Sequence, residues 1–168
     1  MNILVLYSSR TGNTKKVAEA IGAALGAEVR PVHEMGDVSS FDLVFVGFWA
    51  FRRGADMEAR QTIGKLQGKA VAIFGTAGAY PDSDAAKSYI ENTAALVRED
   101  NTYLGGFICQ GRVHSFHVNH RSMHTNEVHP LTPERKARLE EAEKHPDEAD
   151  LVKAAEFAKE MAGKAEGK

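Results

Sequence analysis

The sequence predicts an α/β fold, a doubly wound sheet of five parallel strands with helices on both faces. Three observations carry that expectation. Short aliphatic runs alternate with longer stretches of helical periodicity through residues 2 to 110, and right-handed crossovers turn that order into a parallel sheet covered on both sides. The runs are apolar throughout, as strands buried on both faces are. At 168 residues, 43% hydrophobic and 26% charged, the chain is long enough for one substantial core and short for two. A single domain over 1–168 is expected, with a core over 1–112, a histidine-rich loop over 113–131 and a helical tail over 132–168.

Asn2 to Tyr7 has the length and aliphatic content of a buried strand. From Val17 the apolar residues recur at Ala20, Ile21, Ala24 and Leu25, with Lys15, Lys16 and Glu19 between them, which is the pattern of an amphipathic helix. Ala27 to Val32 reads as a short strand, and Pro31 places it at an edge because proline cannot donate to a ladder. Asp42 to Phe48 and Lys69 to Phe74 are further buried strands, and Leu104 to Gln110 is the last, weakened by its glycines. Met57 to Leu66 and Ser83 to Arg98 are the intervening helices. Asp82 or Ser83 caps the second of these, and Lys87 and Glu91 stand at i,i+4.

In the tail, Thr132-Pro133-Glu134 is a helix start with proline at the first helical position. Arg135 to His145 is charged and reads as a solvated connector. Pro146 ends it, and Asp147 to Ala162 is a second helix with Leu151, Ala155, Ala158 and Met161 on one face.

The most informative stretch is the turn after the first strand, Ser9-Arg10-Thr11-Gly12-Asn13-Thr14. A helix N-terminus leaves backbone N–H groups unpaired and carries partial positive charge. Hydroxyls around one glycine at that point suit a phosphate monoester. Capping alone also favours Ser and Thr, but does not call for the whole run. The Gly-x4-Gly-Lys-Ser/Thr loop of nucleotide triphosphatases and the Gly-x-Gly-x-x-Gly of dinucleotide sites are both absent.

At these residues the chain resembles the phosphate loop of the flavodoxin family, whose members bind FMN. The element order follows that family over roughly the first two-thirds of the chain. The resemblance implies the strand order 2-1-3-4-5, with FMN at the carboxyl ends where the order reverses. It also implies the short-chain type, because nothing interrupts the last strand, and a final helix covering a sheet edge. Two further turns should meet the flavin. In Gly47 to Gly54 the expected contacts are Phe48, Trp49, Ala50 and Phe51. The family's stacking Trp stands four residues after the Gly, where this chain has Phe51, so either Trp49 or Phe51 stacks, with Trp49 favoured. In Gly75 to Asp82 the contacts are Thr76, Ala77, Gly78 and Tyr80. The family turn reads Gly-x-Gly-Asp-x-x-Tyr; here the Asp is missing and the Tyr is one residue closer.

Charge and composition bound the job. The net charge is −2, and Met1 to Leu131 carries 13 acidic and 13 basic residues. No basic face points to nucleic acid, and the neutral core departs from the strongly acidic surface of the family's carriers. The single Cys109 lies in an apolar run as a structural thiol, and without a signal peptide or long apolar segment the expected location is cytoplasmic, away from the membrane. His114, His117, His120, His124 and His129 crowd one segment, but no Cys partner accompanies them, and a polar loop near the cofactor is favoured over a metal site.

The expected function is an FMN-binding electron-transfer protein that passes low-potential electrons to a redox partner protein, with no catalytic side chain and no metal. The alternative is an FMN-dependent oxidoreductase that reduces a quinone-, nitro- or tetrapyrrole-like substrate. Arg52 and Arg53 would then hold an anionic substrate, and they could equally hold an anionic partner. A phosphate-accepting receiver module is set aside, because it needs acidic residues after the first strand and this chain has Ser8 and Ser9.

Overall fold

The computed structural model describes residues 1–114 and 131–167. Strands β1 (Ile3–Tyr7), β2 (Glu28–Pro31), β3 (Leu43–Phe51), β5 (Ala70–Ala77) and β6 (Thr102–Gln110) form a parallel sheet in the order β2-β1-β3-β5-β6. The two-residue β4 (Gly54–Ala55) folds back antiparallel on the end of β3. Counting only the parallel strands, this is the expected 2-1-3-4-5 order, and β2 with its proline is an edge.

Alternate residues of the central strands supply the two faces, as a two-residue side-chain period requires. Leu4, Leu6, Val44, Val46, Phe48, Val71 and Ile73 are buried on one face with Ala59, Ile63 and Leu66 from helix α2 (Met57–Lys65) and the residue that follows it. Helix α3 (Asp84–Ala94), capped by Ser83, covers the same face. Val5, Phe45, Ala72 and Phe74 are buried on the other face, against Val17, Ala18 and Ile21 of α1 (Asn13–Leu25). The tail completes that layer. Helix α4 (Pro133–Ala142) is capped by Thr132, and α5 (Glu148–Ala165) packs on α1 and on edge strand β6. Phe157 of α5 stacks on Phe107 at 5.7 Å and meets Phe45 edge-on at 6.2 Å.

Several details differ from the sequence expectation. The α3 helix stops at Ala94 short of Arg98, because Leu96 and Val97 take i→i−3 bonds to Thr93 and Ala94 and the tightened chain turns into the core. On α5 the buried stripe runs through Ala154, Ala158 and Met161, so Ala155 gives way to its neighbour. Strands β3 and β5 run three residues further than their aliphatic runs. Gly47 and Gly75 sit on these adjacent strands, and each lies under an aromatic ring of the other strand. A Cβ on Gly75 would lie 2.5 Å from the Phe48 ring, and one on Gly47 would collide with the ring of Phe74. That reciprocal exchange holds the two strands in register out to the Trp49 and Thr76 pair.

Candidate functional site

The site is built at the carboxyl end of the sheet, where β1, β3 and β5 finish side by side. The segment after β1 enters α1 through Gly12, whose φ of +94° is a left-handed conformation that glycine adopts without strain. Ser9 bends its hydroxyl inside the loop, where it accepts the Gly12 N–H at 3.1 Å. Helices α2, α3, α4 and α5 are each closed by a side-chain cap, from Asp56, Ser83, Thr132 and Asp147. By contrast, the α1 N-terminus has no side-chain cap, and a Cβ built on Gly12 would meet nothing within 4 Å. Uncapped first-turn amides, a glycine with open space above it and the Ser9 and Thr11 hydroxyls form a donor set that fits a phosphate. The loop is also open on its β2 flank, where a cavity of about 290 Å³ is lined by Ser8, Ser9, Lys15, Pro31, His33 and Glu58 among others.

Thr14 makes ties that the sequence did not disclose. It is buried, and its Oγ1 lies 2.9 Å from Oγ1 of Thr76 and donates a longer bond of 3.5 Å to the Phe48 carbonyl. The phosphate-type loop is thereby tied to the ends of β5 and β3. Asn13 adds a tie to the exit of β6, donating from Nδ2 to the Arg112 carbonyl at 2.9 Å.

The residues expected in the second and third turns lie largely on strand ends. Trp49 is half-buried in β3 and pairs with Thr76 in β5. The Arg10 guanidinium sits over the Trp49 ring at 5.3 Å, and Phe51 meets that ring edge-on at 5.4 Å. Ala50 is half-buried beside them, Phe51 is 42% exposed at the hairpin tip, and Phe48 turns its ring into the core under Gly75, away from the cleft surface. Ala77 is buried. Gly78 follows it, accepting from Gln110 Nε2 at 3.2 Å and backed by Val113, and Tyr80 is exposed beyond it. The structure thus brings Ser9, Arg10, Gly12, Asn13, Thr14, Trp49 and Thr76 into one connected group with Phe51 at its rim.

Sequence reasoning missed Asp56. It is the N-cap of α2, accepting from Glu58 N and Ala59 N at 3.1 and 3.2 Å, and it also receives the Ser8 hydroxyl at 2.8 Å and the Trp49 N–H at 3.2 Å. One buried carboxylate therefore links the end of β1, the aromatic end of β3 and the start of α2. Burial raises its pKa, against these four hydrogen bonds, which pull it down. An Asp directly ahead of a helix with Glu58 in its first turn signals the cap; the other two partners become visible only in the fold. Cys109 is a buried thiol in β6, and burial raises its pKa well above the usual thiol range.

Of the histidine cluster, His117, His120, His124 and His129 lie outside the described residues, with most of the loop expected over 113–131. Among the described residues no helix is long and apolar enough to cross a membrane.

Comparisons with known proteins bear on the family and the fold. A family model described as a flavodoxin domain matches residues 4–159. A flavodoxin-like domain-containing protein, BilS, of Clostridioides difficile (strain CD3) is 35% identical over 177 residues, covering 98% of both chains. Among solved structures, oxidised flavodoxin 1 from Bacillus cereus superposes with a TM-score of 0.59 at 16% identity, covering 96% of this chain and 97% of its own. A flavoprotein in complex with FMN from Lactobacillus acidophilus NCFM gives a TM-score of 0.51 at 15% identity, covering 64% of this chain and 92% of its own. At these identities the two structures speak for the fold.

Proposed function

The chain belongs to the flavodoxin domain family, and from that premise we propose that it is an FMN-binding electron carrier serving a redox partner protein. The observation that carries this reading is the uncapped N-terminus of α1, with open room above Gly12, standing beside the half-buried Trp49. Bound FMN supplies a ring that accepts and releases electrons one at a time.

The chain's own residues do the holding. The first-turn amides of α1, with Ser9, Thr11 and Asn13, take the phosphate, and the partial positive charge of the helix end favours its dianion. Thr14 keeps the loop seated on Thr76. Trp49, steadied through its backbone N–H by Asp56, offers an aromatic face to the ring. Phe51 and Tyr80 bound the cleft and limit water. Reduction of a small quinone-, nitro- or tetrapyrrole-like substrate is the competing reading, and NAD(P)H-driven turnover of such a compound by the purified protein would favour it.

Trp49 is the one tryptophan in the sequence, so binding has a built-in reporter. Titration with FMN should quench most of the intrinsic tryptophan emission, and riboflavin, which lacks the phosphate, should bind at least about tenfold more weakly, the ratio for one or two charge-assisted hydrogen bonds. Equal affinity for the two flavins would refute the phosphate assignment. Unquenched emission at saturation would remove Trp49 from the site.

A further inference from the structure

We propose that the hairpin Phe51-Arg52-Arg53, with Arg10 beside it, is the docking surface for an acidic redox protein, an inference that rests on the carrier reading above. Four side chains form a ladder there. The Arg10 guanidinium covers Trp49 at 5.3 Å, Trp49 meets Phe51 edge-on at 5.4 Å, and the Arg52 guanidinium covers Phe51 at 5.4 Å. Arg53 follows at the tip, where its carbonyl is fixed by Asn92 Nδ2 at 2.6 Å. Arg10, Arg52 and Arg53 are all exposed, and among the described residues no carboxylate pairs with any of them. Other exposed arginines of this chain do find acids, as Arg98 does with Asp100 at 3.2 Å and Arg112 with Glu143 at 3.5 Å.

The acids close in sequence to the hairpin are already committed. Asp56 is buried under four hydrogen bonds, and Glu58 lies 3.4 Å from the Ser8 hydroxyl. Three positive charges thus stand at one edge of a chain whose net charge is −2, and a complementary partner must bring carboxylates to them.

Two further features fit a protein better than a small anion. Phe51 is 42% and Met57 63% exposed, and large apolar side chains with arginine are the composition of interface centres. The arginines also occupy the tip of a two-residue hairpin between paired Phe51 and Gly54, whereas small-molecule sites are concave. Arg52 holds a φ of +57° there, in a region that side chains other than Gly and Asn seldom adopt. Both arginines of this left-handed turn are exposed, Arg52 with its guanidinium lying over the Phe51 ring.

The test uses the full chain loaded with FMN and reduced with dithionite, mixed in stopped flow with ferric cytochrome b5, an acidic haem protein, or ferric cytochrome c, a basic one. Each productive encounter moves one electron from the reduced flavin to the haem iron, which passes from ferric to ferrous. With cytochrome b5 the second-order rate should rise about tenfold or more as salt falls from ~0.5 M to ~0.02 M, as electrostatic steering requires. The double variant R52E/R53E should lose about tenfold at low salt with cytochrome b5 and gain with cytochrome c, because its charge there is reversed. Arg53→Gln, at an ordinary backbone position, should lose a smaller factor in the same direction and serves if the double variant folds poorly. A cytochrome b5 rate indifferent to salt and to both variants would overturn the proposal. So would an equal slowing of ferricyanide, which would make the hairpin a small-anion site. FMN affinity is measured first on each protein. Failure of the wild type to bind FMN defeats the carrier reading itself, while normal binding without charge dependence defeats only the docking surface.

Discussion

Asp56 is the residue whose removal should disturb this site most for the least change in size. In Asp56→Ala the α2 cap disappears, at a cost of about 1 kcal/mol. The Trp49 N–H and the Ser8 hydroxyl lose their acceptor at 3.2 and 2.8 Å. Each such group left unsatisfied costs about 1–3 kcal/mol, with Ser8 at the low end because Glu58 stands 3.4 Å away as a substitute. The sum is about 3–5 kcal/mol, which for a domain of this size corresponds to a fall in Tm of about 6–20 °C. Asp56→Asn should cost only about 1–2 kcal/mol, since one amide oxygen still caps the helix and receives Ser8 while the amide NH2 faces the Trp49 N–H.

The pH dependence separates charge from shape. Burial raises the folded-state pKa of Asp56 above the unfolded value, so the folded chain holds this proton more tightly than the unfolded chain does. The resulting stability is fully present below the unfolded value of about 3.9 and is lost as pH rises through the folded value. Urea unfolding of wild type and Asp56→Asn between pH 4 and 7 should therefore show the wild-type advantage shrinking as pH rises. An advantage that grows with pH would mean that the four hydrogen bonds outweigh burial. A cost below about 1 kcal/mol for Asp56→Ala would refute the role of the carboxylate as a strut.

Two further perturbations test the frame around the site. His145 joins Asp150 on α5 through Nδ1 and Glu141 on α4 through Nε2 at 3.1 Å, and the hydrogen bond that its Nδ1–H donates to the Asp150 carboxylate is the main cause of its raised pKa. Its contribution is present in full below about 6.5 and lost as pH rises through the higher folded value, so Tm should decline above neutrality in the wild type and less steeply in His145→Gln; parallel profiles would refute the assignment. Gly75→Ala should destabilise by about 1–3 kcal/mol through overpacking against the Phe48 ring. The double variant with Phe48→Leu should be more stable than the sum of the two singles predicts, and strict additivity in urea unfolding would argue against the reciprocal fit.

The parts of this molecule that were legible in its sequence are those in which local chemistry decides the conformation. The run from Asn2 to Leu25 declares a strand, a glycine turn and an amphipathic helix, and each forms where its residue types require. The helix starts at Ser83, Thr132 and Asp147 were equally local, because each is a polar cap directly ahead of its helix. What escaped the sequence depends on pairs far apart in the chain. Nothing near Phe48 says that its ring will cover Gly75, and nothing near Thr14 says that its hydroxyl will meet Thr76 across 62 residues.

Those distant pairs change what kind of site this is. Trp49 and Thr76 were expected on turns, and the fold sets them opposite each other on strands whose register is fixed by the two Phe–Gly exchanges below. Asp56 then fixes the backbone of Trp49, and Thr14 fixes the loop above Thr76. The aromatic face and the phosphate-type loop are consequently held to one another through the sheet and do not depend on loop packing. Such a frame suits electron carriage, in which the protein's task is to keep a cofactor in one place and orientation while partners come and go. The adaptable element is pushed outward to the hairpin tip, where Arg52 and Arg53 are exposed and their charge can be exchanged without touching the ties beneath.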